Sequence, residues 1–387
     1  MLSARLSCLQ LFVHRRGGYL HMTHLERWKA ALKKRSGFDR MPRFYSATAE
    51  FTDSLKASTG LDLDRILYEE FNIDYRFQNG GMEAKAWEPA YIGPELKTYD
   101  DGSFENIWGS RQKKMYHRDG KGAYTETYQY ALEGDITVED VENHTWPDPG
   151  WYDYESIIPV LDAFPEYPFM VGYWSVGWFS WEVRGMQQCF MDFALTPDVA
   201  DALTTKIADI GVEYFKRLLE AVEPYIGKNV VAMHIADDWG MQEGLIMHPD
   251  IFDTFYAPHY RRFTDLAHSY GLLVEFHSCG AARELYPSFI DVGVDIMNPV
   301  QTSAKGMVPH EIKAEFGKDL CFSGGIDVQQ LLPNATKKQV KNEVKYLLDA
   351  MGEDGGYLIG PAHNIQFGTP PENVIAVYEA MDEYYGI

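Results

Sequence analysis

Short runs of apolar residues recur along the second half of the chain, and each has the length of a β-strand. The five runs span residues 230–235, 272–276, 294–297, 320–323 and 357–359. They are continuous rather than alternating, which is typical of parallel strands buried on both faces. The first half of the chain adds three further strand candidates, at residues 43–45, 73–77 and 169–173.

Amphipathic helical patterns separate these runs. Residues 249–269 and 337–351 carry apolar side chains at helical spacing, and Thr369 followed by Pro370 predicts the start of a last helix. Strands that alternate with helices form parallel sheets, and eight such units close into a barrel. The sequence therefore predicts an α/β fold, a (β/α)8 TIM barrel.

One segment departs from this alternation. Residues 80 to about 145 are rich in Tyr, Thr and Gly, with turn signals at Asp101-Gly102 and Asp119-Gly120. This composition predicts a small antiparallel β insertion. Residues 22–387 are otherwise expected to form a single barrel domain.

The first 21 residues form a separate lead. They contain arginines but no acidic residue, and their apolar stretch is too short for a signal-peptide core. We expect Met22 to be the true start, with residues 1–21 a non-native or flexible lead; a short basic targeting peptide is the alternative.

The charge and the cysteines narrow the class of protein. A net charge of -22 disfavours nucleic acid and anionic membranes as partners. Four cysteines, Cys8, Cys189, Cys279 and Cys321, are spread too widely for a disulfide framework, which favours a reducing, cytoplasmic compartment.

Polar residues follow five successive strands, where a barrel places its active site. The post-strand segments are Asp237-Asp238-Trp239-Gly240, His277-Ser278-Cys279-Gly280, residues 298–301 with Asn298 and Gln301, residues 324–327 with Asp327, and residues 360–366 with His363 and Asn364. This recurrence predicts an active site at the C-terminal mouth.

His277 and Cys279, two positions apart at a strand end, are candidate zinc ligands, and His363 is the candidate third ligand. A catalytic zinc takes three protein ligands and keeps one open position. The alternative is a hydrogen-bonded histidine beside a packed cysteine.

The other candidate site residues can also be interpreted as structural. Asp237 and Asp238 could each act as an acid or cap the following helix. We expect one aspartate to take each role. Asp327 has the same two interpretations, whereas Gln301, as a neutral amide, is expected to form hydrogen bonds. We assign Gln301, Asp327 and Trp239 to cofactor binding. The candidate substrate-binding residues are Tyr173, Trp174, Trp178, Asn298 and Asn364, although aromatic clusters of this kind are usually core.

These segments resemble the uroporphyrinogen decarboxylase superfamily over most of residues 22–387. The resemblance rests on DDWG at Asp237, FHSCG at Phe276, NPVQ at Asn298, GGID at Gly324 and GPAHNIQ at Gly360. It implies a TIM barrel, and it implies either a porphyrinogen decarboxylase or a zinc methyltransferase that works with a corrinoid protein.

The decarboxylase branch carries an N-terminal motif close to RQAGRY, whereas residues 41–50 here read MPRFYSATAE. The only arginine in that stretch is Arg43, with Arg76 and Arg184 elsewhere, and Asp74 is the candidate decarboxylase aspartate. The methyltransferase branch typically ligates zinc through His, Cys and a second Cys after the eighth strand. This chain has no cysteine there, which makes His363 the substitute.

The sequence thus predicts a methyltransferase that moves a methyl group from a small methoxylated or methylated substrate to a corrinoid on a separate protein, with zinc as the Lewis acid. Asp237 or Asp238 would protonate the leaving group. A decarboxylase that uses Asp74, acting on a tetrapyrrole or another carboxylated substrate, is the alternative, and a non-catalytic binding module is the third hypothesis.

Overall fold

The computed structural model describes residues 22–76, 87–116 and 123–387. The lead at residues 1–21 with Cys8, the end of the strand candidate at Phe77 and the turn at Asp119-Gly120 lie outside these residues. Within them, no helix is both long and apolar enough to span a bilayer.

The centre of the fold is a six-stranded parallel sheet that curls into a partial barrel. Its strands, in chain and spatial order, are β6 (Phe169–Val171), β7 (Val230–Ala236), β8 (Leu273–His277), β9 (Ile296–Val300), β10 (Cys321–Ile326) and β11 (Tyr357–Pro361). Nearly every residue in these strands is buried, as the continuous apolar runs predicted.

The first two strand candidates form isolated bridges in place of full strands. Arg43 pairs in parallel with Ile359 of β11, and the Asp74 amide donates to the Arg43 carbonyl at 2.8 Å. At the opposite edge, Trp87 pairs in parallel with Val171 of β6. The described residues thus contain six of the eight predicted strands, with backbone bridges continuing the sheet beyond both edges.

Helices cover the outside of the sheet. The α-helices are His24–Trp28, Ala49–Thr59, Val138–Asn143, Ile158–Ala163, Gly177–Arg184, Met186–Leu195, Pro197–Val222, Pro249–Phe255, Ala257–Ser269, Tyr286–Asp291, Pro309–Phe316, Leu331–Asn334, Lys337–Gly352 and Pro371–Tyr385. Residues Lys29–Lys34 and Arg65–Glu70 are π-helical, and single 3-10 turns occur at Pro149–Trp151, Tyr154–Ile157, Glu223–Tyr225 and Arg283–Leu285.

The helix predicted over residues 249–269 is divided in two at Tyr256, whose φ of -122° and ψ of -42° leave the helical region. Pro258 follows at the start of the second helix. Because proline has no amide hydrogen and its ring clashes with the preceding turn, a continuous helix through this position is disfavoured.

The region predicted as an insertion contains one small antiparallel sheet and one strand of a second, whose other strand lies beyond the predicted end at about residue 145. β2 (Phe104–Glu105), β3 (Arg111–Tyr116) and β4 (Ala123–Gln129) form one, and β1 (Ala90–Tyr91) pairs with β5 (Tyr152–Asp153) in the other. The larger sheet contacts the helix after β6, because Gln112 donates to Glu182 at 3.4 Å. The insertion therefore lies beside the mouth of the barrel.

Candidate metal centre at the mouth of the sheet

Three potential metal ligands meet where β7 and β8 end. One donor atom from each of Asp238, His277 and Cys279 lies within 4.8 Å of the other two. The parallel register pairs Ala236 with His277, so that Asp238 and Cys279, each two residues further on, face each other. A nitrogen, a sulfur and a carboxylate oxygen are all donors that zinc accepts.

The approach of the two loops depends on a pair of glycines. A Cβ on Gly240 would lie 2.5 Å from the Cys279 carbonyl oxygen, and one on Gly280 would lie 2.5 Å from the Gly240 backbone. Gly280 also has a φ of +80°, which side chains rarely tolerate. These glycines let the Cys279 loop pass against the Asp238 loop, and the Cys279 amide donates to Asp238 Oδ1 at 3.2 Å.

Neighbouring side chains hold this loop in place. Gln301 Oε1 accepts from the Gly280 amide at 2.8 Å, which is the hydrogen-bonding role expected of a neutral amide. The Ser278 amide donates to the Asn298 carbonyl at 2.7 Å, and the Trp239 amide donates to Ser278 Oγ at 3.0 Å. Gln301 therefore helps to hold the cysteine loop in place.

The electrostatics of the cluster suit a cation. Burial, together with the nearby charge of Asp238, raises the pKa of the Cys279 thiol to about 12. A thiol in such surroundings stays protonated at neutral pH, whereas a bound metal ion stabilises the thiolate. His277 Nε2 lies 3.7 Å from Asp238 Oδ1, and its Nδ1 contacts Asn298 Oδ1 at 2.9 Å. The donor set thus fits a zinc ion.

A cavity of about 640 Å³ opens beside these ligands. Its lining combines the cysteine with neutral amides, small residues, one histidine and one carboxylate. The lining residues are Gly240, Met241, Gln242, Cys279, Gly280, Gln301, Ser303, Asp327, Val328, Gln329, Pro333, Ala362, His363, Asn364 and Gln366. Among these described residues there is no lysine, arginine or aromatic ring other than His363, so the cavity wall lacks the cations that a polyanionic ligand would need.

His363 lines the same cavity as Cys279 but is not part of the compact donor group. Its side chain is exposed, and its ring centroid is 6.4 Å from that of His277. Asp238 is the third member of the compact donor group, a role that the sequence analysis, which considered it as an acid or a helix cap, did not include. Both remain candidates for the third ligand, with Asp238 favoured by proximity.

Asp237 and Asp238 have different surroundings. Asp237 is 2% exposed and accepts from the amides of Gly177 at 2.7 Å and Trp178 at 2.6 Å, and from the Ser175 hydroxyl. It therefore caps the helix after β6, not the following helix. Burial raises its pKa to about 7, although these three hydrogen bonds act in the opposite direction.

Asp74 lies in a separate, fully buried ion cluster. Its carboxylate accepts from Arg27 at 2.7 Å, from Arg40 at 2.6 Å and from His24 at 2.8 Å. Burial alone would raise its pKa, but the charges of Arg40 and Arg27 hold the pKa well below the usual range. With all these partners, Asp74 has the contacts of a structural residue.

Two of the tryptophans predicted for the site lie in the core. Trp174 is 2% exposed and donates to the Ile207 carbonyl at 3.1 Å, and Trp239 is fully buried against Tyr256. These contacts favour the core interpretation for both. Trp178, by contrast, is 45% exposed.

The other predicted residues are distributed around the mouth. Tyr173 is half-buried, and its ring stacks on that of His234 with centroids 6.1 Å apart. Asp327 caps the turn after β10 by accepting from the Gln329 amide at 2.7 Å, and it also lines the cavity. Asn364 lines the cavity and accepts a hydrogen bond from Ser46.

Two polar residues beneath the site were missed from the sequence. His234 and Glu275 lie inside β7 and β8, and His234 Nδ1 contacts Glu275 Oε2 at 2.9 Å. Both were counted as parts of apolar runs. A charged residue inside a strand buried on both faces was the signal that would have identified them.

Comparison with protein families matches the chain to the model described as uroporphyrinogen decarboxylase (URO-D), over residues 169–384. The matched region is more than half of the 387 residues and contains all six strands of the parallel sheet.

Two individual proteins from Methanosarcina mazei are similar to this chain. A curated methylated-thiol–coenzyme M methyltransferase is 24% identical over 230 residues, covering 59% of this chain and 54% of the relative. The chain thus spans about half the length of that relative. A solved structure of a methyltransferase superposes with a TM-score of 0.65 at 17% identity, covering 94% of this chain and 100% of the other, which is a likeness of fold.

Proposed function

The chain belongs to the uroporphyrinogen decarboxylase family, and from that premise we propose that it is a methyltransferase. It moves a methyl group from a small methoxylated or methylated substrate to a corrinoid carried by a separate protein. The observation that carries this proposal is the group of Asp238, His277 and Cys279 donors at the edge of a 640 Å³ cavity. The related M. mazei protein, a methyltransferase by name, supports the class of reaction.

In this proposal His277, Cys279 and either Asp238 or His363 hold a zinc ion. Zinc in such a site supplies a Lewis acid that polarises the heteroatom bearing the methyl group. The amides of Gln242, and those of the neighbouring cavity wall, offer both donors and acceptors that orient a neutral substrate. Asp238 would hold the leaving-group proton only if His363 completes the metal site.

The arginines that a decarboxylase would need for its substrate already have partners within the protein. Arg43 pairs with Asp382 at 2.7 Å, and Arg184 pairs with Asp192 at 2.8 Å. Arg76 lies over aromatic rings, 3.6 Å from the centroid of Tyr68. A substrate with several carboxylates needs cationic side chains in its binding site, and the described cavity wall has no lysine or arginine.

We also propose that the fold closes as an eight-stranded barrel. The segments around Arg43 and Asp74 would take the positions of the first two strands, supported by the parallel bridge to Ile359 and the hydrogen bond from the Asp74 amide to Arg43. The insertion, through Gln112 and Glu182, would contribute to the rim on which the corrinoid protein docks.

Elemental analysis and a methyl-transfer assay together test the proposal. Protein purified without chelator is expected to contain about one zinc per chain. It should methylate reduced cobalamin from at least one donor in a panel of methoxylated aromatics, methylamines and methylthiols, with methylcobalamin followed by its absorbance.

Cys279→Ala should lose the metal and the activity. Cys189→Ala is the matched control, because Cys189 is buried at 3% exposure and is not among the cavity-lining residues. Carbon dioxide release from a porphyrinogen, with no methyl transfer from any donor, would establish the decarboxylase alternative instead.

A further inference from the structure

The interior of the sheet contains a chain of polar side chains below the candidate metal site. Glu275 and Asn298 are fully buried, and His234 is 7% exposed. Barrel interiors are usually filled by branched apolar residues, and a buried carboxylate is costly unless it is paired. These residues therefore need a role beyond packing.

The strand register brings these residues together. His234 and Glu275 are direct partners across β7 and β8, and His277 and Asn298 are direct partners across β8 and β9. Asn298 Nδ2 donates to Glu275 Oε1 at 3.0 Å and to Ser323 Oγ at 2.8 Å. The side chains thus form a continuous path from His234 to His277.

Glu275 sets the direction of the hydrogen bonds along this path, because it determines which end of the Asn298 amide faces His277. The amide nitrogen of Asn298 donates to Glu275 Oε1, which leaves the amide oxygen of Asn298 facing His277. An amide oxygen only accepts, so His277 Nδ1 is the donor to Asn298 Oδ1 over 2.9 Å, and Nε2 is the ring nitrogen that would offer its lone pair to a metal ion. Ser323 has a hydroxyl that can donate or accept, so it cannot set this direction.

We infer that Glu275 and Asn298 are positioning residues that hold His277 in the Nδ1-protonated form, with Nε2 presented to the metal beside Asp238 and Cys279. His234 holds the other oxygen of Glu275 and completes the arrangement. The inference rests on the proposed function, because the lone pair matters for zinc binding. Such outer partners of a ligand histidine typically contribute about 10- to 100-fold in metal affinity.

The test is Glu275→Gln, which keeps the size of the side chain but supplies an amide that can donate or accept. Asn298 is then free to turn, and His277 loses its preferred tautomer. We expect the zinc dissociation constant, measured by competition with a chromophoric chelator, to rise about 10- to 100-fold. Nitrogen-15 NMR of histidine-labelled, metal-free protein should show Nδ1–H for His277 in the wild type and a mixture in the variant, with His277→Gln assigning the signal.

Ser323→Ala is the matched control. It removes a 2.8 Å hydrogen bond from the same amide at the same depth, yet it should leave the zinc dissociation constant within about threefold of the wild type and the tautomer unchanged. Asn298→Ala, which removes the acceptor, should weaken zinc binding as Glu275→Gln does. Thermal melting of all variants excludes unfolding as the cause.

The outcomes separate this inference from the proposed function. If Glu275→Gln keeps both the Nδ1–H form and the zinc affinity, the positioning role is wrong although the methyltransferase proposal stands. If the wild type binds no zinc, the proposed function fails, while loss of the Nδ1–H form in Glu275→Gln would still support the positioning of His277.

Discussion

Asp74→Asn separates a structural aspartate from a catalytic one. The carboxylate is fully buried and accepts five hydrogen bonds, from His24, Arg27, twice from Arg40 and from the Arg43 amide. Asparagine has the same shape, but it has only one acceptor oxygen. Its NH2 group would face the N–H groups that donate to Asp74. The substitution leaves the buried Arg40 guanidinium without its counter-charge, whereas Arg27 keeps its pair with Asp39 at 2.6 Å, and breaking a buried pair in this way costs about 3–5 kcal/mol.

This cost converts into a measurable shift of the melting temperature. At the usual unfolding entropy per residue, 387 residues give roughly 0.8 kcal/mol per kelvin, so the melting temperature should fall by about 4–6 °C. Zinc content and methyl transfer should survive at temperatures below the transition, because Asp74 is not among the residues lining the described cavity. Differential scanning calorimetry and the cobalamin assay measure both.

The pH dependence gives a second measurement on the same variant. Because the pKa of Asp74 is lowered in the folded protein, its contribution to stability is complete above the unfolded pKa and is lost as the pH falls through the folded value. Wild-type stability should therefore decline below about pH 4, and Asp74→Asn should show a shallower decline there.

Asp53→Asn is the control, since Asp53 forms only an exposed pair with Lys56 at 2.8 Å. Its effect should stay below about 1 kcal/mol. A melting temperature for Asp74→Asn within 1 °C of the wild type, together with lost catalysis, would refute the structural assignment. It would return Asp74 to the role that the decarboxylase resemblance implies.

Three further experiments test the site and its support. Gly177→Ala should destabilise the protein by about 2 kcal/mol or more in a thermal melt, because the new Cβ would lie 2.9 Å from the carboxylate oxygen that caps this helix; a neutral effect would mean that the cap is dispensable. The double variant Cys189→Ala/Cys321→Ala should keep its zinc by elemental analysis, since both thiols are buried away from the cavity wall, and loss of the metal would show that the wrong thiol was chosen. Asp238→Ala should weaken zinc binding in a chelator competition more than His363→Ala does, because Asp238 belongs to the compact donor group; the reverse order would make His363 the third ligand.

The strand predictions succeeded where burial on both faces leaves a continuous apolar run. At the mouth, the predicted strands end before the observed ones. β9 and β10 continue through Asn298, Pro299, Gly324 and Gly325, and the pattern missed these residues because they have low strand propensity. These residues remain in the sheet because the tertiary hydrogen bonds of the barrel hold them there. Local pattern alone cannot detect such long-range support.

Prediction of the candidate site from the sequence has the same limit. His277 and Cys279 follow a predicted strand at a spacing of two, so the sequence brings them together. The roles of Asp237 and Asp238 depend on which carboxylate faces the cysteine loop, and that depends on the register of β7 against β8. Successive strand residues point to opposite faces, so a shift of one residue would exchange the two aspartates.

The charges of the chain favour a reaction that acts on a neutral substrate. Arg27 pairs with Asp39 and Asp74, Arg40 also pairs with Asp74, and Arg43 pairs with Asp382. To bind a polycarboxylate, the protein would have to break these pairs, each at a cost comparable to that of losing a buried partner. The described cavity wall offers amides and metal ligands in their place, and both recognise a lone pair on a neutral heteroatom. These pairings therefore support the proposed methyl donor over a substrate with several ionised carboxylates.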